Sequence, residues 1–217
     1  MSGLLITIEG PEGAGKTSIM QSMVPLLRAR AKTSVITTRE PGGIPIAEEI
    51  REVILSSKNE GMDNKTEALL FIASRREHLV KKVLPALKDD KVVIIDRFID
   101  SSLAYQGVGR DLGIRAIESL NEFATDGIKP QLTLYLDVEV EEGLSRIEQN
   151  RVDEVNRIDL TELSFHKKVR EGYLEIAHNN PERVAIIDAS QTFATVVREG
   201  LNVIIQRFPE WFSEIKY

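Results

Sequence analysis

Gly10-Pro11-Glu12-Gly13-Ala14-Gly15-Lys16-Thr17 fits the pattern G-x-x-x-x-G-K-[ST] and directly follows an apolar run, Leu4-Leu5-Ile6-Thr7-Ile8. Between a strand and a helix, that pattern builds a phosphate-binding loop. Its glycines let the backbone turn tightly and aim N–H groups at phosphate oxygens, Lys16 reaches the β- and γ-phosphates, and the Thr17 hydroxyl can ligate Mg²⁺. A helix beginning near Gly15 adds the positive end of its dipole. Binding of a nucleoside triphosphate is the starting expectation.

Two more charged pairs follow predicted strands. Ser34-Val35-Ile36-Thr37 leads into Thr38-Arg39-Glu40-Pro41-Gly42-Gly43, where the proline and glycines stop regular structure, and Val92-Val93-Ile94-Ile95 delivers Asp96-Arg97. Alone, either pair reads as a solvated loop end or a capping ion pair. In an open parallel sheet, however, ligands gather at the carboxyl ends of strands, so one crevice collects the phosphate loop and both pairs.

The elements that must position these residues alternate along the chain. Helical spacing is expected from about Lys16 to Arg30 despite Pro25, over Ile46 to Ile54, from about Lys65 to Leu87, and over Ile114 to Phe123. Ser101 to Gly109 reads as a helix start broken at its glycines. Leu132 to Leu136 and Val184 to Ile187 are predicted strands. Asp159-x-x-Glu162 resembles a capping box for a helix to about Ala177, and Phe193 to Ile205 closes the chain as an amphipathic helix. The long helix at Lys65 to Leu87 is apolar on two sides, at Leu69, Leu70, Phe71, Ile72, Leu79 and Val83. The β-branched runs at Ile94 and its neighbours suit parallel strands covered on both faces. The expected fold is α/β, a doubly wound five-stranded parallel sheet flanked by helices, in a single domain spanning residues 1–217.

The 217 residues are 42% hydrophobic and 29% charged, enough for one sizeable core. A net charge of −6 disfavours a nucleic-acid partner, while a local arginine cluster still suits a small phosphate. The chain has no cysteine, which removes disulfides and thiolate metal sites. No apolar stretch is long enough to span a membrane, and the first strand begins without a cleavable leader, so the cytoplasm is the expected location. The three histidines, His78, His166 and His178, form no ligand pattern and read as surface or packing residues.

Taken together, Gly10 to Thr17, Arg39-Glu40-Pro41-Gly42-Gly43, Phe71-x-x-Ser74-Arg75-x-x-His78, Asp96-Arg97-Phe98 and Ser101-Ser102-x-Ala104-Tyr105-Gln106-Gly107 resemble the thymidylate kinase family over nearly the full length. The resemblance implies a P-loop NTPase fold with a mobile helical lid, here about residues 143–159, and transfer of the γ-phosphate of ATP to dTMP, giving dTDP. It implies ATP contacts from Gly10 through Ser18 and from Gln191 in the Ala189-Ser190-Gln191 loop, and Mg²⁺ held by Thr17 with Asp96 near it through water.

For the acceptor, the resemblance implies Phe71 as the platform under thymine, Arg75 and Gln106 as readers of its edge, and Ser101 and Ser102 as pocket lining. Tyr105 would crowd a 2′-hydroxyl and Glu12 would accept the 3′-hydroxyl. Arg39, Arg97 and Arg51 would hold the phosphate next to Pro41, since guanidinium forks match phosphate oxygens. The phosphate loop carries no arginine, which fits the bacterial subclass whose transition-state arginine lies in the lid; Arg146 and Arg151 are the candidates, with Arg157 anchoring the lid through Asp159. Phe98 stands where the family often has tyrosine. A homodimer is also implied.

The nearest rival is a kinase of another nucleoside monophosphate or of a nucleoside on the same scaffold. A GTPase-like switch fits less well: Asn64-Lys65-Thr66-Glu67 lacks the aspartate of N-K-x-D, and Asp96 is not followed by x-x-Gly.

Overall fold

In the computed structural model of the chain, residues 3–150, 157–158 and 161–213 are described. The order is β1 (Leu4–Glu9), α1 (Lys16–Arg28), β2 (Val35–Arg39), α2 (Pro45–Leu55), α3 (Asn64–His78), a π-helical turn (Leu79–Val83), α4 (Leu84–Lys88) and β3 (Val92–Asp96). There follow α5 (Ile99–Ser102), a second π-helical segment (Leu103–Gly109), α6 (Ile114–Thr125), β4 (Leu132–Asp137), α7 (Val140–Asn150), α8 (Leu163–Asn179), β5 (Val184–Asp188) and α9 (Phe193–Arg207).

The five strands form one parallel sheet in the order β2-β3-β1-β4-β5. Every residue of β1 is buried, as a strand covered on both faces requires. Leu4, Ile6 and Ile8 join Met23, Leu27, Leu134, Leu201 and Ile204 on the α1/α9 side, while Leu5 packs with Leu79, Val83, Leu87 and Val93 on the other. Thr7 shares a 2.8 Å hydrogen bond with Thr133, so this pair of polar side chains is satisfied inside the sheet. A third apolar cluster joins Tyr105, Ile117, Tyr135, Phe165, Val169 and Tyr173 under α8.

Register places the functional strand ends side by side. Asp96 lies opposite both Ile8 and Arg39, and the backbone continues the ladder past the strands through Arg97 N to Ile8 O (3.0 Å) and Glu40 N to Asp96 O (2.9 Å). The predicted helices are found with small boundary shifts: α1 runs through Pro25 and ends at Arg28, and the long predicted helix keeps its course but contains a π turn. The expected capping box is not formed. Glu162 is itself the N-cap of α8, with no side-chain cap bond, three residues later than a cap at Asp159 would place the start; Asp159 lies outside the described residues.

Candidate active site

The loop after β1 turns through Gly10, Gly13 and Gly15, all at positive φ, and Gly15 precedes α1 without a side-chain cap, which leaves the helix N-terminus open toward a ligand. Thr17 and Ser18 are exposed on its first turn. Lys16 folds back on the loop, where Nζ donates to Gly10 O (2.9 Å) and Pro11 O (2.8 Å) and keeps a third hydrogen. Burial, aided by the charge of Arg97, draws the ammonium down to about 8 against the opposing pull of Glu12, Asp96 and Glu9. The loop touches α7 backbone to backbone: a Cβ on Gly13 would lie 1.9 Å from Gly143 O, so neither glycine has room for a side chain.

Arg97, just past β3, holds φ +65, a conformation unusual for a side chain other than glycine. The turn is fixed from beneath by Glu9, whose Oε1 accepts from Phe98 N (2.7 Å) and whose Oε2 accepts from Ser101 Oγ (2.5 Å) and Tyr173 OH (2.9 Å). Those same two hydroxyls accept from Arg97 Nη1, each at 3.3 Å. Arg97 Nη2 donates to Glu12 Oε1 at 2.6 Å, and Tyr105 OH donates to the same oxygen at 2.9 Å. Burial works to raise the Glu12 carboxyl, but Arg97, Lys16 and the Tyr105 hydroxyl override it and hold it near 2. Glu9 is raised to about 7 by burial and by the nearby Asp100 charge.

At the end of β2, Arg39 pairs with Glu48 (2.9 Å) and remains largely exposed, and Arg51 reaches from α2 to donate to Pro41 O (3.1 Å). Glu40 organises the layer behind. Its Oε2 accepts from Arg75 Nε (2.7 Å), its Oε1 pairs with His78 Nδ1 (2.9 Å), and His78 Nε2 bonds Thr38 Oγ1 (2.8 Å). Of the two readings left open for His78, surface or packing, the structure gives the second: it is fully buried and hydrogen-bonded.

One cavity of about 680 Å³ opens onto all three strand ends. Its walls contain Glu12, Gly13, Gly15, Lys16, Thr17, Ser18, Arg39, Pro41, Arg51, Phe71, Asp96, Arg97, Ser101, Ser102, Tyr105, Gln106 and Arg146 from the sequence-derived set. Gly10, Pro11 and Ala14 are buried in the loop backbone. Arg75 is not on the wall. It is 2% exposed, with Nε on Glu40, Nη1 on Ser102 and Asn121, and Nη2 on Phe98 O; four of a guanidinium's five hydrogens are engaged and one Nη2 hydrogen remains. Gln191 is exposed after β5 and does not line the cavity. Arg146 turns to Glu142 (2.5 Å) and Ala189 O (3.0 Å). Arg151 lies outside the described residues. Arg157 is anchored by Glu67 (2.6 Å) and Ile54 O (3.0 Å).

Among the members of the wall or its support that the sequence reading missed, Leu55, Ile147 and Ile158 line the cavity and Glu9 lies beneath it, and three more are instructive. Phe193 was expected in the core of the closing helix, yet it is 51% exposed at the cavity rim because it is the first residue of α9. Glu67 and Tyr173 lie on helix faces whose sequence carries no motif. The Asp96 Oδ1 atom is buried and accepts no hydrogen bond from the described residues, and the Thr17 hydroxyl shares the cavity with it. Two hard oxygen donors beside a phosphate loop fit Mg²⁺.

Similarity to known proteins agrees with this geometry. The profile of the family described as Thymidylate kinase matches residues 8–199. A curated thymidylate kinase of Enterococcus faecalis (strain ATCC 700802 / V583) is 52% identical over 212 residues, covering 98% of this chain and 100% of that protein. The chain belongs to the thymidylate kinase family. The P-loop NTPase fold of that family accounts for the parallel sheet and for the crevice at the ends of β1, β2 and β3. Thymidylate kinase membership also explains why a lysine-bearing phosphate loop and an arginine cluster line one cavity: they suit two different phosphates.

Proposed function

We propose that this protein transfers the γ-phosphate of ATP to dTMP, forming dTDP for dTTP synthesis. The observation that carries the reading is that Lys16, Thr17 and the start of α1 line one cavity together with Arg39, Arg51 and Arg97 and with Phe71, Ser102, Tyr105 and Gln106.

The acceptor is a phosphate monoester, largely dianionic at neutral pH, so one of its oxygens attacks the γ-phosphorus without a general base while ADP leaves in line. This chain's work is placement and charge. Arg39, Arg51 and Arg97 hold the acceptor phosphate, and the loop amides with Lys16 hold the donor. Mg²⁺, when bound near Thr17 and Asp96, neutralises phosphate charge. Arg146, with Arg151, supplies further positive charge to the transferring group, the role that lid residues 143–159 take in this reading. Glu12, held as a carboxylate, accepts the 3′-hydroxyl, and the Tyr105 ring packs where a 2′-hydroxyl would sit. Phe71 supplies stacking of roughly 1–3 kcal/mol under the base. Ser101 lends its hydroxyl to Glu9 and so supports the pocket wall more than it reads the base. The amide of Gln106 reads the base edge from the cavity wall, Arg75 supports that wall from behind through Ser102, and Gln191 borders the adenine side.

The reading treats residues 1–217 as one catalytic domain working in the cytoplasm as a homodimer. Adjacent helices expose Val53 on α2, Leu69 on α3 and Phe123 on α6, the last at 85%, an apolar face suited to a second copy. Among the described residues no helix is long and apolar enough to cross a membrane.

Phosphorus NMR of a mixture of protein, Mg·ATP and dTMP tests the transfer itself. ADP and dTDP signals should grow mole for mole; ADP growing with inorganic phosphate in place of dTDP would overturn the reading.

A further inference from the structure

Glu67 sits in the first turn of α3 at 1% exposure and receives four hydrogen bonds from three residues on two other parts of the chain. Gln106 Nε2 donates to Oε1 at 3.0 Å, Arg110 donates through Nε (3.2 Å) and Nη2 (3.1 Å), and Arg157 Nη2 donates to Oε2 at 2.6 Å. The donors are themselves fixed. Arg110 stacks 4.4 Å over the Phe165 ring, and Arg157 also donates to Ile54 O. Burial works to raise the Glu67 carboxyl, but the Arg110 and Gln106 hydrogen bonds outweigh it, so the group stays an anion.

A carboxylate only accepts hydrogen bonds. Of the two ends of the Gln106 amide, only the NH₂ can face Glu67; the carbonyl oxygen there would set two acceptors against each other and leave both unpaired. The amide is thus locked in one orientation. Gln106 is 2% exposed and lines the cavity beside Ser102 and Tyr105, with Oε1 and the second Nε2 hydrogen left for a ligand.

We propose that Glu67 is a positioning residue that determines base specificity: by holding the Gln106 NH₂ it presents Oε1 as a fixed acceptor to a pyrimidine that carries N–H at ring position 3. Thymine and uracil have that donor; cytosine has a bare ring nitrogen and an amino group, the pattern that a reversed amide would match. The proposal rests on the reading of Gln106 as a base contact. It selects against the cytosine pattern through a residue that touches no substrate.

The test compares dTMP with dCMP in the wild-type protein and in Glu67→Gln, Glu67→Asp and Gln106→Leu, using kcat/KM or, where dCMP turns over too slowly, competitive inhibition constants. A glutamine at 67 can donate or accept and so lets the 106 amide turn. Glu67→Gln should lower the dTMP:dCMP preference by about tenfold or more, chiefly through the dTMP KM, whereas Glu67→Asp, which keeps an acceptor-only group, should retain most of it. Equal losses with both acceptors and an unchanged preference would overturn the proposal. If Gln106→Leu leaves the preference unchanged, Gln106 does not read the base and the premise itself falls. Should the position 67 variants not fold, the wild-type Gln106 side-chain amide decides by NMR: one Nε2 proton should be protected from exchange and stay protected with dTMP bound, and loss of that protection on binding would overturn the proposal.

Discussion

Arg97 and Glu12 form a 2.6 Å ion pair that joins the end of β3 to the phosphate-binding loop. The pair links the expected acceptor clamp to the donor cradle, and the Tyr105 hydroxyl completes it from a third segment. Arg97 also leans on Ser101 and Tyr173, so three of its five guanidinium hydrogens are engaged by the protein, and Nε–H and one Nη2–H remain on a side chain that lines the cavity.

Replacing Arg97 should therefore separate chemistry from donor binding. Arg97→Ala is expected to lower kcat/KM for dTMP by roughly 10³ or more while the ATP dissociation constant changes little, and Arg97→Lys should not rescue it, since the three hydrogens of an ammonium, if spent on Glu12, Ser101 and Tyr173, leave none for the acceptor phosphate. Steady-state kinetics beside nucleotide titration measure both; equal loss of ATP binding and turnover would reject the assignment.

Glu40 holds the layer behind the cavity. It is 4% exposed and is the shared partner of Arg75 and His78. Removing one member of a buried charged set strands the others, at about 3–5 kcal/mol. Glu40→Ala should lose stability on that scale in urea unfolding, whereas Arg39→Ala, which breaks the exposed pair with Glu48 and leaves the Glu48 bond to Gly43 N in place, should cost about 1 kcal/mol or less.

Glu9 gives a pH signature. Its carboxyl rises from 4.5 toward about 7 on folding, so the folded protein binds that proton more tightly than the unfolded chain. The resulting stabilisation is fully present below about pH 4.5 and is lost as pH climbs through about 7. The stability difference between wild type and Glu9→Gln should accordingly shift in favour of the variant from about pH 5 to about pH 8, read by denaturant titration. A difference independent of pH over that window would show that Glu9 does not take up the proton.

The contact of Gly13 with Gly143 predicts a steric phenotype. Gly13→Ala combines a φ of +72 with a Cβ 1.9 Å from a backbone oxygen, so the phosphate loop must move. ATP affinity should fall at least about tenfold, whereas Gly61→Ala, whose Cβ meets open space, should bind ATP normally. Fluorescent nucleotide titration distinguishes the two.

What could be read in advance followed local chemistry. The five strands declare themselves as short, largely apolar runs, and the charged pairs at the ends of β2 and β3 fall beside one another because a parallel sheet aligns carboxyl ends. Residues whose meaning depends on distant partners did not declare themselves. Tyr173 meets Glu9 across 164 positions and Glu67 meets Arg157 across 90, and on its own helix each resembles ordinary packing or a solvated face. Arg75 was legible as a site residue, but its burial among Glu40, Ser102, Asn121 and Phe98 was not, because nothing local signals four simultaneous acceptors. Phe193 misled for a related reason: helical periodicity assigns a face, and a first-turn residue can escape it.

The most direct measurement is ADP release from Mg·ATP in parallel with dTMP, dUMP, dCMP, AMP, GMP, thymidine and no acceptor. The account predicts strong preference for dTMP, distinctly poorer use of dUMP and almost no release without acceptor. Turnover indifferent to the acceptor, or highest with another nucleotide, would contradict it.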